Sequence, residues 1–170
     1  MMTINPKTLT GSRLQLEVMN PSHFEALNAI AQDKTIWTYA TFDTSDNYFE
    51  VWFTNAIKSF QTNESVPFII RRLSDQKIVG STRYYHISPE HHRLSIGYTW
   101  TIPEVWGTFV NTESKYLLLQ NAFEVLAVNR VEFLIIINLH FAASAVAINL
   151  SSSASLETGS FKITGDTNSP

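Results

Sequence analysis

One stretch, residues 95–113, constrains the fold of this 170-residue chain more than any other. Residues 95–101 read as a β-strand, Pro103 breaks the strand, and Gly107 precedes a segment of helical character. A strand, a glycine-containing turn and a helix in this order direct backbone N–H groups and a helix dipole to one point. The sequence therefore predicts a binding site for a phosphate-bearing ligand at this junction.

The composition excludes several classes of protein. Hydrophobic residues make up 44% of the chain, which is typical of one globular domain, and the net charge of −3 argues against a nucleic-acid partner. No apolar stretch reaches the ~20 residues of a membrane span, and residues 1–7 lack a hydrophobic signal core. We therefore expect a cytoplasmic protein without a membrane partner. The chain has no cysteine, and no metal site is predicted.

Hydrophobic periodicity predicts two helices, then an antiparallel meander, then a crossover unit. The helices follow the capping residues Asn20 and Ser45. The predicted strands are residues 13–18, 66–72, 77–86, 93–101 and 131–137, and a further helix is predicted at residues 112–128. Because 131–137 is a continuous apolar run after that helix, it should lie parallel to strand 93–101 in the same sheet.

Residues 34–46 carry three aromatic side chains without a clear period: Trp37, Tyr39 and Phe42. They either pack in the core, as buried aromatic residues commonly do, or contact a substrate. The sequence leaves both alternatives open.

Four motifs together resemble the GCN5-related N-acetyltransferase (GNAT) superfamily, and within it the ribosomal-protein alanine and serine acetyltransferases. They are Thr-Leu-Thr-Gly-Ser-Arg-Leu-Gln-Leu at 8–16, Ile-Val-Gly-Ser-Thr-Arg-Tyr at 78–84, Ile-Gly-Tyr-Thr-Trp at 96–100 and Trp-Gly-Thr-Phe-Val-Asn-Thr-Glu at 106–113. The resemblance implies an α/β fold with a mixed, mostly antiparallel sheet, helices on both faces and a strand–loop–helix–strand crossover.

The same resemblance implies transfer of an acetyl group from acetyl-coenzyme A, as co-substrate, to a primary amine on a protein N-terminus or a small molecule. The protein would be a monomer or a homodimer. The strand 93–101 would separate from its parallel neighbour and pair with the pantetheine arm. The implied coenzyme contacts are Tyr98, Thr99, Trp100, Trp106, Gly107, Thr108, Phe109, Val110, Asn111, Thr112 and Asn138.

Two positions depart from the family pattern. Phe109 occupies a glycine position of the loop, and a bulky residue disfavours positive φ and close approach of backbone to phosphate. Coenzyme binding should be weakened unless the ring turns into the core and leaves the amides usable. Ser95 stands where many relatives carry a carboxylate. These departures favour an alternative: a catalytically impaired GNAT-fold protein acting as a binding or partner module, or a defective gene product.

Candidate catalytic residues are Tyr98, Ser144 and Glu90. By resemblance, Tyr98 is either a general acid toward the leaving thiolate or a buried aromatic under the helix, and Ser144 matches a family position for the acid. Glu90 is a titratable candidate for the base, and the alternatives are His86, His91 and His92. Strand parity places Ser95, Gly97 and Thr99 on one face, and it places Ile96, Tyr98 and Trp100 on the other.

The last part of the chain does not follow the family pattern. We expect residues 1–138 to form the acetyltransferase core, whereas 139–170 form an atypical segment of the same domain, read in a shifted frame or partly disordered. No closing strands are recognisable there.

Overall fold

The computed structural model describes residues 6–38, 48–134, 154–157 and 160–164. Within these ranges, eight strands form one sheet in the order β1-β2-β3-β4-β5-β6-β8-β7. The strands are β1 (Leu9–Thr10), β2 (Leu14–Val18), β3 (Val66–Arg72), β4 (Ile78–Ser88), β5 (Arg93–Thr101), β6 (Arg130–Leu134), β7 (Ala154–Glu157) and β8 (Ser160–Thr164). The α-helices are α1 (Phe24–Ala31), α2 (Tyr48–Gln61) and α3 (Phe109–Gln120).

Helices cover both faces of the sheet, as the sequence predicts. The helices α1 and α2 bury Leu27, Phe49 and Phe53 on one face. On the other face, α3 buries Leu117 and Leu118. We refer to these as the α2 face and the α3 face. Within the described residues, no helix is long and apolar enough to cross a bilayer.

The strands β5 and β6 are joined through α3 and lie parallel, whereas every other described pair of neighbouring strands is antiparallel. This is the predicted crossover. Its ladder begins at Arg93 with Arg130 and ends at Ile96 with Phe133. Beyond Ile96, β5 continues to Thr101 and pairs only with β4 among the described residues. Within the described part of the chain, the two parallel strands are therefore paired only up to Ile96.

The structure corrects the sequence-based element boundaries in two places. The third helix begins at Phe109, three residues before the predicted start, because the Thr108 hydroxyl caps it, and a π-helical turn at Asn121–Val125 ends it. The closing segment contains strands that were not predicted: β8 pairs antiparallel with β6, and β7 pairs with β8. Both strands are short, and the pairing of β8 with the distant strand β6 is not visible in the local sequence.

Candidate functional site

The loop between β5 and α3 forms the turn predicted from the sequence. Gly107 adopts a φ of +70°, which other residues rarely adopt, and apart from its two chain neighbours no described residue has an atom within 4 Å of the position that a Cβ would occupy there. Thr108 is the N-cap of α3: its Oγ1 accepts a hydrogen bond from the Val110 N–H at 3.4 Å. No acidic residue lies in the first turn of α3. The turn therefore presents the positive end of a helix dipole without a competing carboxylate.

Phe109 is the first residue of α3, and it is not among the residues with positive φ. The expectation that position 109 needs glycine for a positive φ is therefore wrong, because the residue of the loop with a positive φ is Gly107. The Phe109 ring is partly buried against the core of the α3 face, and the Arg13 guanidinium lies 3.8 Å from its centroid. Arg13 is held by Glu113 through an Nε–Oε2 hydrogen bond of 3.1 Å.

A β-bulge lies in β5 at Tyr98 and Thr99, which together stand opposite Thr82 of β4. Tyr98 has a φ of +49°. The extra residue reverses the predicted strand parity. Gly97 and Tyr98 both face Tyr85 on the α2 face, and Thr99 faces α3. The prediction that Gly97 and Thr99 share a face, opposite Tyr98, is therefore wrong.

Lys115 of α3 reaches the bulge from the α3 face. Its Nζ donates to Thr99 Oγ1 at 2.5 Å and to Thr82 Oγ1 at 3.3 Å, and the two hydroxyls lie 2.8 Å apart. The residue as a whole is half-buried, but its amine lies among protein groups, and this burial lowers the pKa of Lys115 from 10.5 to about 7. The partly neutral Lys115 amine thus connects β4 and β5 at the bulge, through its hydrogen bonds to Thr82 and Thr99.

An aromatic cluster covers the bulge on the α2 face. Trp100 lies 5.3 Å from Trp37 and 5.9 Å from Trp52 between ring centroids. The guanidinium of Arg83 lies between Trp52, at 5.3 Å, and Tyr98, at 4.5 Å. Trp37 is buried, and its Nε1 donates to the Ala31 carbonyl at 2.9 Å, so this residue is a core residue. Tyr39 and Phe42 lie outside the described residues.

Arg83 is 7% exposed, and burial lowers its pKa to about 10, so it remains a cation at neutral pH. Its Nε and Nη2 have no hydrogen-bond partner among the described residues. A buried guanidinium normally has such partners.

The sequence-predicted site residues separate into three groups. The first group lies on the carboxyl half of β5, the following loop and the first turn of α3: Tyr98, Thr99, Trp100, Trp106, Gly107, Thr108, Phe109, Val110, Asn111 and Thr112. The Val110 side chain is buried, so only its backbone is available to a ligand. Asn138 and Ser144 lie outside the described residues.

Glu90 is exposed in the turn between β4 and β5, at the opposite end of β5 from the loop. Tyr98 lies five positions along the strand from Arg93, which places Glu90 on the order of 15 Å from the bulge. The structure does not bring Glu90 together with Tyr98. Tyr98 itself is 42% exposed on the α2 face, so the alternative of a buried aromatic under the helix is wrong.

Sequence reasoning missed two residues of this site, Arg83 and Lys115. Arg83 lies in the middle of a predicted central strand, where a charged residue is rarely buried without a specific partner, and this signal was available. No comparable signal marks Lys115, because a lysine beside the buried stripe of a helix usually extends to the solvent.

The fold and the loop define the class of the protein: a mixed α/β domain in which the described parallel ladder ends shortly before a glycine turn and a helix N-terminus. The model of the acetyltransferase (GNAT) domain family matches residues 13–148. The chain therefore belongs to the GNAT acetyltransferase family. No curated protein matches the chain.

Solved structures have the same fold. A GCN5-related N-acetyltransferase from Brucella melitensis is 25% identical, with a TM-score of 0.64 over 75% of this chain. A ribosomal-protein-serine acetyltransferase-like protein from Vibrio cholerae is 16% identical, with a TM-score of 0.72 over 93% of this chain and 97% of its own. The spermidine N-acetyltransferase of Vibrio cholerae, in complex with CoA and spermine, is 16% identical, with a TM-score of 0.59 over 72% of this chain and 71% of its own. The chain spans 61% of the length of the Brucella protein.

Proposed function

We propose that this protein transfers an acetyl group from acetyl-coenzyme A to a primary amine. The observation that carries the proposal is that the β5–β6 ladder, as far as the chain is described, ends at Ile96, directly before the bulge and on the path to the α3 N-terminus. An extended cofactor arm can pair with strand backbone that lacks a neighbour, while a diphosphate meets helix N–H groups. Family membership supports the same assignment.

The residues of the loop fit the diphosphate. Gly107 leaves open space where a side chain would stand, and Trp106, Gly107 and Thr108 are exposed. The first turn of α3 would hold the negative charge through its N–H groups and its dipole. The acetyl thioester, when bound, supplies an activated acyl group that requires no covalent enzyme intermediate.

Residues at the bulge would then position the thioester carbonyl and the amine for acetyl transfer. The bulge at Tyr98–Thr99 is the proposed donor of backbone N–H groups to the carbonyl oxygen, and Lys115 keeps Thr99 in place from the α3 face. Tyr98, exposed on the α2 face, is the proposed donor of a proton to the leaving sulfur. The amine would approach from the α2 face and lose its proton to solvent.

Changing Asn111 to aspartate tests the diphosphate site. Asn111 is exposed in the first turn of α3, so an added negative charge favours the helix but repels the diphosphate. We expect the Asn111→Asp variant to bind acetyl-coenzyme A about 10-fold more weakly in isothermal titration, with an unchanged or slightly higher melting temperature.

The exposed Gln61, at the end of α2, provides a control with the same change in charge. The Gln61→Glu variant should bind acetyl-coenzyme A as the wild type does. Equal affinities of the Asn111→Asp variant and the wild type would place the diphosphate elsewhere, and no binding by the wild type at millimolar acetyl-coenzyme A would refute the proposed function.

Changing Phe109 to glycine tests whether this residue weakens the coenzyme site. Because Phe109 already has helical backbone and its ring packs against the core, we expect no tighter binding of acetyl-coenzyme A. The variant should instead lose about 2 kcal/mol in the free energy of unfolding, from lost ring burial and from glycine in a helix. Binding that tightens 10-fold or more would show that the phenylalanine obstructs the site.

The alternative, a GNAT-fold protein with impaired catalysis, is favoured by Ser95, which is buried and offers no carboxylate beside the bulge. It predicts binding of acetyl-coenzyme A without release of the coenzyme thiol in the presence of any amine. A thiol-release assay with a panel of peptides, polyamines and amino acids distinguishes the two functions.

A further inference from the structure

Two nitrogen atoms on one edge of the Arg83 guanidinium, Nε and Nη2, lack hydrogen-bond partners among the described residues. Both atoms are buried. Rings of Trp52 and Tyr98 contact the guanidinium, but a ring does not replace hydrogen bonds to a planar acceptor. A buried cation in this state is costly, and a bound anion would remove the cost.

Two other arginines of this protein show that a carboxylate fits the Nε–Nη2 edge of a guanidinium. Arg71 donates from Nε and Nη2 to the two carboxylate oxygens of Glu17. Arg72 donates from Nε and Nη2 to the two carboxylate oxygens of Asp75, at 3.0 and 2.6 Å. Both pairs are bidentate contacts between the side of a guanidinium and a carboxylate. Arg83 presents the same two atoms, and no carboxylate of the described residues is bonded to them.

Two more donors in the cluster point to the same ligand chemistry. The indole Nε1 atoms of Trp52 and Trp100 are buried and have no hydrogen-bond partner among the described residues. Both rings belong to the cluster around Arg83. A group that only accepts hydrogen bonds therefore suits the cluster, whereas an ammonium group would meet a buried cation and further donors.

Arg83 is also close to the proposed site of acetyl transfer. It pairs with Gly97 of β5, the residue before the bulge, and its guanidinium lies 4.5 Å from the Tyr98 ring. A ligand held by Arg83 would therefore lie beside the bulge on the α2 face, where the amine is proposed to approach.

We propose that Arg83 binds the carboxylate of the acceptor, so that the acceptor is a small amine that also carries a carboxylate, such as an amino acid. This inference rests on the proposed function for the identity of the reaction, but the binding of a carboxylate does not require catalysis. A polyamine, which carries no carboxylate, is excluded as the preferred acceptor.

The test compares each of the twenty amino acids with its carboxamide, in two assays. Isothermal titration measures binding directly, and thiol release from acetyl-coenzyme A measures turnover. We expect the wild type to favour the carboxylate of the best amino acid by about 10- to 100-fold. The Arg83→Gln variant should lose this preference and retain its affinity for acetyl-coenzyme A, and the Arg83→Lys variant should keep only part of it, since lysine cannot form the bidentate pair.

A matched control is Arg130→Gln, which removes a charge at the start of β6, beside Arg93 and away from the bulge, and should leave the preference unchanged. Circular dichroism checks that each variant is folded. Equal binding of carboxylate and carboxamide by the wild type overturns the inference, and so does an unchanged preference in Arg83→Gln. A preference for succinyl- over acetyl-coenzyme A that depends on Arg83 would assign the carboxylate to the acyl group and also overturn it.

The two proposals fail in distinguishable ways. If the wild type does not bind acetyl-coenzyme A, the proposed function fails, while direct titration with the amino acids still decides the role of Arg83. If acetyl-coenzyme A binds and only spermine or another polyamine releases its thiol, the proposed function stands and the carboxylate inference fails.

Discussion

Replacing Lys115 by methionine should raise the free energy of unfolding at pH 7, by up to a few kcal/mol. The folded protein holds this amine with a pKa lowered from 10.5 to about 7. Between these values the unfolded chain binds a proton that the folded chain does not, so stability falls as the pH falls from 10.5 toward 7. At about 1.36 kcal/mol per pKa unit, the full penalty is at most about 5 kcal/mol below pH 7. Methionine carries no charge and avoids this penalty.

Urea unfolding at pH 6, 7, 8.5 and 10 measures the effect. The difference between Lys115→Met and the wild type should be largest at pH 6 and should approach zero or change sign near pH 10, where the lost hydrogen bonds to Thr82 and Thr99 are the remaining term. Lys58, an exposed lysine of α2, is the control, and Lys58→Met should show no such dependence. A difference that stays constant across this pH range would contradict a buried amine at the bulge.

Replacing Gly80 by alanine should destabilise the fold by about 3 kcal/mol. A Cβ at Gly80 would lie 2.1 Å from the carbonyl oxygen of Trp100 and 2.8 Å from the Cα of Thr101. Both are backbone atoms, so the clash can be relieved only by moving β4 and β5 apart. The midpoint of urea unfolding at pH 7 measures the loss.

Gly107 offers a matched control, because its backbone dihedral, rather than lack of space for a side chain, favours glycine there. Alanine there would meet no atom within 4 Å, but it would have to adopt a φ of +70°. We expect Gly107→Ala to cost about 1 kcal/mol, from backbone conformation alone. Gly80→Ala should therefore be the less stable variant, and the reverse order would show that β4 and β5 are not as closely apposed as their contacts indicate.

The elements that could be predicted from the sequence are those whose pattern is local. Alternation in β2 and the apolar stripe of α2 each depend on residues near one another in the chain. The turn at Gly107 could likewise be predicted from the strand before it and the helix after it. The start of α3 was misplaced because its cap, Thr108, lies inside the motif that was read as a loop. β7 and β8 were missed because they are short strands in a segment that departs from the family pattern, and the pairing of β8 with β6 and of β7 with β8 is visible only in the structure.

The candidate site was predictable in its position but not in its chemistry. Residues 95–113 located the loop, and the family motifs named most of the loop residues. The roles of Tyr98 and Thr99 depend on a bulge, and a bulge changes which face each side chain occupies without any sign in the alternation. Glu90 was adjacent to the strand in sequence but lies at its far end.

By itself the sequence determined that a strand, a glycine turn and a helix meet at residues 95–113, because the periodicity and the turn residues are contained in that one stretch. Only the tertiary structure decided what surrounds the junction. It placed Lys115 against Thr99 on one face and Arg83 between Trp52 and Tyr98 on the other. These contacts join residues distant in the chain, and the charge state and the unpaired donors of a buried side chain depend on neighbours that only folding brings together.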